Sequence, residues 1–318
     1  MDVAMQLSDR IGRRIKLQDL HVLMTVVQAG SMSKAAERLN TGQPNISRSI
    51  ADLEQALGVR LLDRHRQGIE PTEYGRALLD GGTTVFDELR QTMKNIEFIA
   101  DPTAGEVRIG CSPFLAASFA SAVVDRLTQR YPRIVIHIVA GDVKVLRREL
   151  SERTVDLLIA RRFGVLADER LSYEFLFDDS YVVAAGAQNP WVRRRRIALA
   201  ELVSEPWVLT PPETSTWSVV TEAFRAIGLN HPHVNAVTAS LEARISLLAT
   251  GRFLSLLPAS AMRFPARRPE LRVLPVELPA ALVPNGIVTL RDRTLTAVAR
   301  LFIETARDVA KPLAKRTR

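Results

Sequence analysis

The spacing of apolar positions predicts three short helices near the start of the chain. The first two span about residues 17–29 and 33–39, where Gly30 ends the first and Ser33 is predicted to cap the second. The third helix runs from about residue 43 to residue 57, and a glycine follows it directly. The apolar positions that give these helices a buried face are Leu17, Leu20, Met24, Val27, Ala35, Ala36, Leu39, Ile46, Ile50, Leu53 and Leu57.

A short wing and a long helix are predicted next. Residues 59–71 are too irregular for a helix, and charged and apolar residues alternating around Gly68 indicate two short strands. A helix is then predicted from a Thr72 cap to about Phe98. Its apolar residues follow a 3-4-3-4-3 spacing, which indicates a coiled-coil seam; a helix packed on its own chain is the alternative. The seam residues are Leu79, Gly82, Phe86, Leu89, Met93 and Ile96.

Beyond a linker at residues 101–105, apolar strands alternate with helices. This order predicts a parallel sheet covered by helices, and its resumption after a strand-only stretch at residues 172–186 predicts a second lobe. Two such lobes leave a cleft at the carboxyl ends of their strands. Strands at residues 271–278 and 286–291 are predicted to return to the first lobe, before a final helix at about 295–309. The other predicted helices are residues 114–131, 143–151, 218–227 and 241–250.

Length and composition limit the classes of protein. A chain of 318 residues is too long for one ordinary hydrophobic core, which indicates more than one domain. A content of 47% hydrophobic and 25% charged residues is typical of a soluble globular protein. Cys111 is the single cysteine, which excludes an internal disulfide and favours a reducing cytoplasm. The histidines show no metal-ligand spacing, so neither a metal nor a cofactor is expected. The sequence shows no secretory signal and no apolar run of membrane-spanning length.

The positive charge of the chain does not by itself indicate nucleic-acid binding. The formal net charge is +8, and the isoelectric point is about 10.1. Residues 1–72 contribute only +2 and residues 73–100 contribute −2, whereas residues 101–318 contribute +8. A DNA-binding hypothesis for the N-terminal segment therefore depends on its local pattern.

The free face of the third predicted helix carries side chains that suit base edges in the major groove. Glutamine and asparagine can pair with adenine and arginine with guanine, while polar residues at the preceding helix start suit phosphate oxygens. Arginines of the wing can reach the backbone or the minor groove. A generic three-helix bundle with a polar face is the alternative. The candidate DNA-binding residues are Ser31, Ser33, Lys34, Gln43, Pro44, Asn45, Ser47, Arg48, Ser49, Arg64 and Arg66.

The stretch SMSKAAERLNTGQPNISRSIADLEQALGVRLLDRHRQGIEPTEYG, at residues 31–75, resembles the N-terminal module of LysR-type transcriptional regulators. The resemblance is continuous over roughly residues 16–98. The C-terminal part resembles the effector domain of the same family in the segments GEVRIG, EPWVLTPP and SLEARISLLATGRFLSLLPAS. The matched N-terminal positions are Ala35, Ala36, Leu39, Gln43, Pro44, Ser47, Arg48, Leu53, Glu54, Leu57, Gly58, Leu61, Arg64 and the segment 72–75.

The resemblance implies an N-terminal all-α winged helix-turn-helix with a long linker helix, then a C-terminal α/β two-lobed effector domain with a periplasmic-binding-protein-like fold. It implies binding to double-stranded promoter DNA as a homodimer or homotetramer, contact with RNA polymerase, a cytoplasmic location, and modulation by a small-molecule effector rather than enzymatic activity. The implied domains are residues 16–72 for DNA binding, 73–100 for dimerisation and 105–318 for the effector, with lobe 1 at about 105–177 and 276–310 and lobe 2 at about 178–275.

The implied effector site lies where lobe strands end and lobe helices begin. Serine hydroxyls and free helix N–H groups suit an anion, and Arg161 suits a carboxylate. The alternatives are helix capping for Ser112 and Ser240, and an exposed side chain for Arg161. The candidate effector residues are Ser112, Asp142, Val143, Arg161, Thr210, Pro211, Thr214, Ser215, Thr216 and Ser240.

Family effectors are often metabolic acids or aromatic catabolites. The stretch GRFLSLLPASAMRF is most similar to the subgroup that includes the galactose-binding-protein regulator and the protocatechuate-pathway regulator. This resemblance favours a carboxylate or a sugar as the effector.

Two other function classes are compatible with paired α/β lobes. A solute-binding component of a transport system would need an export signal and would leave residues 16–98 unexplained. An enzyme is the third possibility, but the sequence contains no GxSxG, P-loop, GxGxxG or HExxH motif. The run Arg193–Arg196 is interpreted as a solvated loop, with contact to DNA or a second subunit as the alternative.

Overall fold

The chain forms two compact units, Met1–Gln91 and Thr92–Arg318. The computed structural model describes residues 15–65, 68–162, 168–229, 231–262, 269–278 and 282–314. Each unit is built around its own buried apolar clusters. None of the helices within these ranges is long and apolar enough to cross a bilayer.

The N-terminal unit contains three short helices, a two-stranded antiparallel wing and the start of a long helix. Its buried core joins all of these elements and includes Leu23, Val26, Ile50 and Leu61. The elements are α1 (Leu17–Ala29), α2 (Met32–Arg38), α3 (Gln43–Leu57), β1 (Leu62–His65), β2 (Gly68–Pro71) and α4 (Glu73–Ala100).

The cap of α2 differs from the sequence prediction. The side chain of Ser31, not that of Ser33, accepts the Lys34 amide at 3.1 Å, so α2 begins one residue after Ser31. Ser33 lies inside the helix, and its hydroxyl donates to the Gln43 Oε1 at 3.1 Å. Two serines near one helix start offer two plausible caps, and packing selects the one that buries Met32.

Hydrogen bonds from side chains to backbone amides fix the wing against the helices. The carboxylate Oε1 of Glu54, on α3, accepts the amides of Leu61 at 2.7 Å and Leu62 at 3.3 Å. Thr72 caps α4 as predicted, because its hydroxyl accepts the Gly75 amide at 3.0 Å. A Cβ at Gly75 would lie 2.1 Å from the Leu61 carbonyl oxygen, so only glycine permits this approach.

Some apolar residues of α4 pack against their own unit, and others are exposed. Gly82 and Phe86 face their own unit: a Cβ at Gly82 would lie 2.9 Å from the Leu20 side chain, and the Phe86 ring lies 5.7 Å from that of His21. Both were predicted in an intermolecular seam, so the packing alternative is correct for them. Leu89, Met93 and Ile96 are exposed.

The C-terminal unit consists of two α/β lobes, each with a five-stranded sheet. Lobe 1 has the strand order β4-β3-β5-β12-β6, in which β3 is parallel to both β4 and β5. Its elements are β3 (Ala104–Cys111), α5 (Pro113–Leu115), a π-helical segment (Ala116–Ala120), α6 (Ser121–Arg130), β4 (Arg133–Ala140), α7 (Val143–Ser151), β5 (Leu157–Arg161), β6 (Leu171–Asp179), β12 (Val283–Leu290) and α10 (Ala297–Ala314).

Lobe 2 has the strand order β11-β7-β10-β8-β9. Trp207 is fully buried at its centre and meets Phe224 edge to face. The elements are β7 (Tyr181–Gly186), 3-10 turns at Pro190–Arg193, Leu199–Leu202 and Ala259–Met262, β8 (Trp207–Leu209), α8 (Ser215–Arg225), β9 (Val234–Val237), α9 (Leu241–Ala249), β10 (Leu254–Pro258) and β11 (Leu271–Val273).

Two sequence predictions for this unit are wrong. The strand predicted at residues 271–278 does not return to lobe 1, because Leu271–Val273 pairs antiparallel with β7 in lobe 2; the return is made by β12. The single helix predicted at residues 114–131 contains the π-helical segment Ala116–Ala120, where the Ser121 hydroxyl donates to the Ala116 carbonyl at 2.6 Å. The sequence pattern of a strand does not show which sheet the strand joins. Helical periodicity does not reveal the one additional residue that turns part of an α-helix into a π-helical segment.

Candidate DNA-binding surface and interlobe cavity

The first two turns of α3 have an exposed polar face and a buried apolar face. Ile46 and Ile50 are buried in the N-terminal core, whereas Gln43, Asn45 and Arg48 are exposed. The hydrophobic side of the helix is therefore fully used for packing, and the exposed side remains for a partner. Pro44 is also exposed, and Ser47 is half-buried.

Hydrogen bonds order part of this surface. The Asn45 Nδ2 donates to the Thr41 Oγ1 at 3.1 Å, and the Ser33 hydroxyl donates to the Gln43 Oε1 at 3.1 Å, so both amide side chains are oriented. The Ser49 hydroxyl donates to the Asp19 carboxylate at 2.6 Å. Ser49 thus joins α3 to α1 and is the least suited of the predicted residues to contact DNA.

The remaining predicted DNA contacts flank α3. Lys34 is exposed at the first turn of α2, where the Ser31 side chain is occupied as a cap. Arg64 is exposed on β1, opposite Ile69 in the wing. Arg66 lies outside the described residues.

A cavity of about 380 Å³ lies between the two lobes of the C-terminal unit. This volume is within the range of small-molecule sites. Seven of the ten predicted effector residues line the cavity, while Pro211 and Ser240 do not. The side chain of Ser215, the tenth, lies outside the part of the chain that the structure describes. The described lining residues are Ser112, Pro113, Phe114, Leu115, Ala140, Gly141, Asp142, Val143, Leu146, Ile159, Ala160, Arg161, Thr210, Thr214, Thr216, Ala239 and Arg244.

Several of the predicted polar groups cap helices. The Ser112 hydroxyl accepts the Leu115 amide at 3.4 Å, and the Asp142 carboxylate accepts the Lys144 amide at 2.9 Å. The exposed Ser240 caps α9 by accepting the Ala243 amide at 3.2 Å. Both serines therefore cap helices, and of the two only Ser112 also lines the cavity.

Arg161 is half-buried and stacks on an aromatic ring at the lobe boundary. Its guanidinium carbon lies 4.9 Å from the centre of the Tyr181 ring. Burial raises the pKa of the Tyr181 hydroxyl, so this side chain is neutral near pH 7. The structure therefore gives Arg161 a packing role beside its place in the cavity wall.

The sequence analysis missed Arg244, on α9. Its side chain is only 1% exposed, and its guanidinium carbon lies 4.7 Å from the centre of the Phe114 ring. Within the described part of the chain, its Nε and Nη1 have no hydrogen-bond partner. A signal was present: residue 244 falls on the same helical face as the buried Leu241, Ile245 and Leu248.

The described residues contain no group of histidine, cysteine and carboxylate side chains placed to hold a metal ion. Cys111 is buried at the end of β3, and burial raises the pKa of its thiol to about 12. A thiol in this state is a poor nucleophile, because the reactive thiolate is absent near neutral pH.

Two sequence profiles together match most of the chain. Residues 17–76 match "Bacterial regulatory helix-turn-helix protein, lysR family", and residues 100–311 match "LysR substrate binding domain". The first range contains the three short helices and the wing, and the second contains both lobes.

Known proteins of similar length show the same organisation. The chain is 25% identical over 303 residues to the uncharacterized HTH-type transcriptional regulator YdcI of Escherichia coli K12, and the match covers 95% of this chain and 98% of the relative. The fold matches a full-length OxyR variant of Pseudomonas aeruginosa (TM-score 0.66, 20% identity, 96% and 99% coverage) and full-length CbnR complexed with its target DNA (TM-score 0.62, 21% identity, 93% and 100% coverage). The chain therefore belongs to the LysR family of DNA-binding transcriptional regulators, with an N-terminal helix-turn-helix and a two-lobed effector-binding domain.

Proposed function

We propose that this protein reads promoter DNA with the first two turns of α3, flanked by α2 and the wing, and that a small molecule in the interlobe cavity modulates this binding. The exposed side chains of Gln43, Asn45 and Arg48, above the buried Ile46 and Ile50, carry the DNA part of the proposal. Arg48 is the residue assigned to guanine, since arginine donors match the guanine O6 and N7 acceptors.

The proposal extends to the assembly and its surroundings. The exposed apolar side chains of α4 support a homodimer or homotetramer, because such a stripe is stabilised when two helices bury it together. As a regulator of transcription, the protein is proposed to act in the cytoplasm beside RNA polymerase. It is also proposed to carry out no catalysis, in keeping with a family of regulators rather than enzymes.

The DNA-binding proposal is tested by selecting fragments of genomic DNA that bind the full-length protein, and then measuring their affinity at fixed salt. Arg48→Ala is expected to weaken binding to a selected fragment by about 10- to 100-fold, the value of one bidentate base contact. Circular dichroism should show an unchanged fold, since Arg48 is exposed.

A second substitution controls for the loss of one positive charge. Arg133→Ala removes an exposed arginine of the C-terminal unit and is expected to leave the operator affinity within about twofold of wild type. Equal affinities of the wild-type and Arg48→Ala proteins would refute the assignment of α3. Failure to select any fragment would refute the DNA-binding proposal itself.

A further inference from the structure

The most unusual group in the interlobe cavity is a buried charge. Arg244 is 1% exposed, and its Nε and Nη1 donate to nothing in the described part of the chain. Removing one partner from a buried charge typically destabilises a protein by several kcal/mol, so buried arginines are normally paired. The cavity wall therefore contains a positive group with two donors that no described residue satisfies.

Arg244 remains charged in this setting. Burial lowers its pKa to about 10, and the guanidinium is still protonated near pH 7. Its contact with the Phe114 ring compensates part of the lost hydration, because a cation is attracted to an aromatic face. A ring face does not satisfy the N–H donors, however, and hydrogen-bond acceptors are still required.

The other lining groups favour an anion with an apolar body. Arg161 adds a second positive side chain, whereas Asp142 is the one acidic side chain among the described lining residues and already accepts the Lys144 amide. Much of the remaining wall is aliphatic and includes Leu115 and Ile159. A ligand that fits must place its charge near the arginines and its hydrocarbon part against this wall.

We propose that the cavity binds a small carboxylic acid with a compact apolar body, and that Arg244 pairs with its carboxylate. The two oxygens of a carboxylate match the donor fork of a guanidinium. This inference rests on the proposed effector function of the cavity and names the chemical class of the effector. It also replaces Arg161, the anchor predicted from the sequence, by Arg244 as the main anion-binding residue.

The position of Arg244 connects the ligand to both lobes. Phe114 belongs to lobe 1, yet its ring packs in the cluster formed by Leu241, Ile245 and Leu248 of lobe 2. Arg244 covers the same ring from the lobe 2 side. A carboxylate that pairs with Arg244 therefore lies directly beside a contact between the two lobes.

The test is thermal unfolding of the full-length protein with matched pairs of probes. The probes are 4-methylpentanoate and cyclohexanecarboxylate, each compared with its neutral amide, and sodium sulfate at equal ionic strength. Each carboxylate that binds is expected to raise the Tm by about 5 °C or more at a concentration a hundredfold above its Kd. The amides and sulfate are expected to give no shift.

Arg244→Met separates charge from volume. We expect this variant to lose affinity for the carboxylates by about 10- to 100-fold, as for a lost charge-assisted hydrogen bond. Its Tm without ligand should equal or exceed that of the wild type, since an unpaired buried charge is removed. Arg252→Met, a change at an exposed arginine two residues before β10, is the matched control and should leave the carboxylate shift unchanged.

Three results would overturn the inference: no carboxylate shifts the Tm, the amides or sulfate shift it equally, or Arg244→Met binds carboxylates as wild type does. A ligand-free Arg244→Met protein with a lower Tm would also contradict it, because Arg244 would then have a stabilising partner within the protein. None of these results affects selection of DNA fragments, so failure of this inference is distinguishable from failure of the proposed regulatory function.

Discussion

Substitution of Leu89 tests whether the exposed stripe of α4 joins two protomers. This side chain is 44% exposed, in line with the exposed Val85, Met93 and Ile96 on the same helix. Complete burial of a leucine stabilises by about 2 kcal/mol, so burying the exposed part of Leu89 contributes about 1 kcal/mol. A twofold symmetric interface contains two copies, which gives about 2 kcal/mol, or about 30-fold in the dimer Kd, for Leu89→Ala.

Sedimentation equilibrium over a range of protein concentrations measures this Kd. Asp80→Ala is the control, because residue 80 is nine positions earlier on α4 and, at about 100° per residue, lies on the opposite side of the helix. Its dimer Kd should stay within about twofold of the wild-type value. An unchanged Kd for Leu89→Ala, or an equal change for Asp80→Ala, would refute the stripe as the interface.

Three further substitutions test the fold around the two sites. Gly75→Ala places a Cβ against the Leu61 carbonyl and should lower the stability of the N-terminal unit by more than about 2 kcal/mol in urea denaturation; a loss below about 0.5 kcal/mol would contradict the close approach. Asp156→Ala removes the buried partner of Arg293, 3.0 Å away, and should cost about 3–5 kcal/mol by the same measurement in the C-terminal unit; a neutral effect would show that the pair is not buried in solution. Cys111 should resist iodoacetamide at pH 8 in the native protein and react in urea. The thiol pKa of about 12 in the folded protein exceeds the value of about 8.5 in the unfolded chain. The free energy of unfolding should therefore be independent of this thiol below about pH 8.5 and decrease above it. Cys111→Ala should remove this decrease.

The N-terminal unit was largely predictable because its determinants are local. Helical periodicity, the glycine after α3 and the Thr72 cap each depend on residues close in sequence, and the structure places them as predicted. The competition between Ser31 and Ser33 could not be resolved locally, because either hydroxyl can cap a helix. The partner of the α4 stripe was equally undetermined, since periodicity identifies an apolar face but not what covers it; Gly82 packs on Leu20 of the same chain.

The cavity was predictable in position but not in chemistry. Strand ends and helix starts of two lobes indicated Ser112, Asp142 and Arg161, which line it. Arg244 could not be predicted from the loops at strand ends, because it lies on a helix face whose other residues, Leu241, Ile245 and Leu248, are apolar and buried. An arginine among the apolar residues of a helix face is an anomaly that the sequence already shows. Its proposed role in binding an anion follows only from the structure, in which two of its donor atoms have no hydrogen-bond partner among the described residues.

The most direct test of the central claim is to remove single acceptor atoms from the selected operator. Guanines are replaced one at a time by 7-deazaguanine, which lacks the N7 acceptor, and the affinities of the wild-type and Arg48→Ala proteins are compared. We predict that replacing at least one guanine of the operator lowers the affinity of the wild-type protein about 10-fold. The same replacement should leave the affinity of Arg48→Ala unchanged, because the contact is already absent. Equal losses in both proteins at every guanine would contradict the reading of bases by α3.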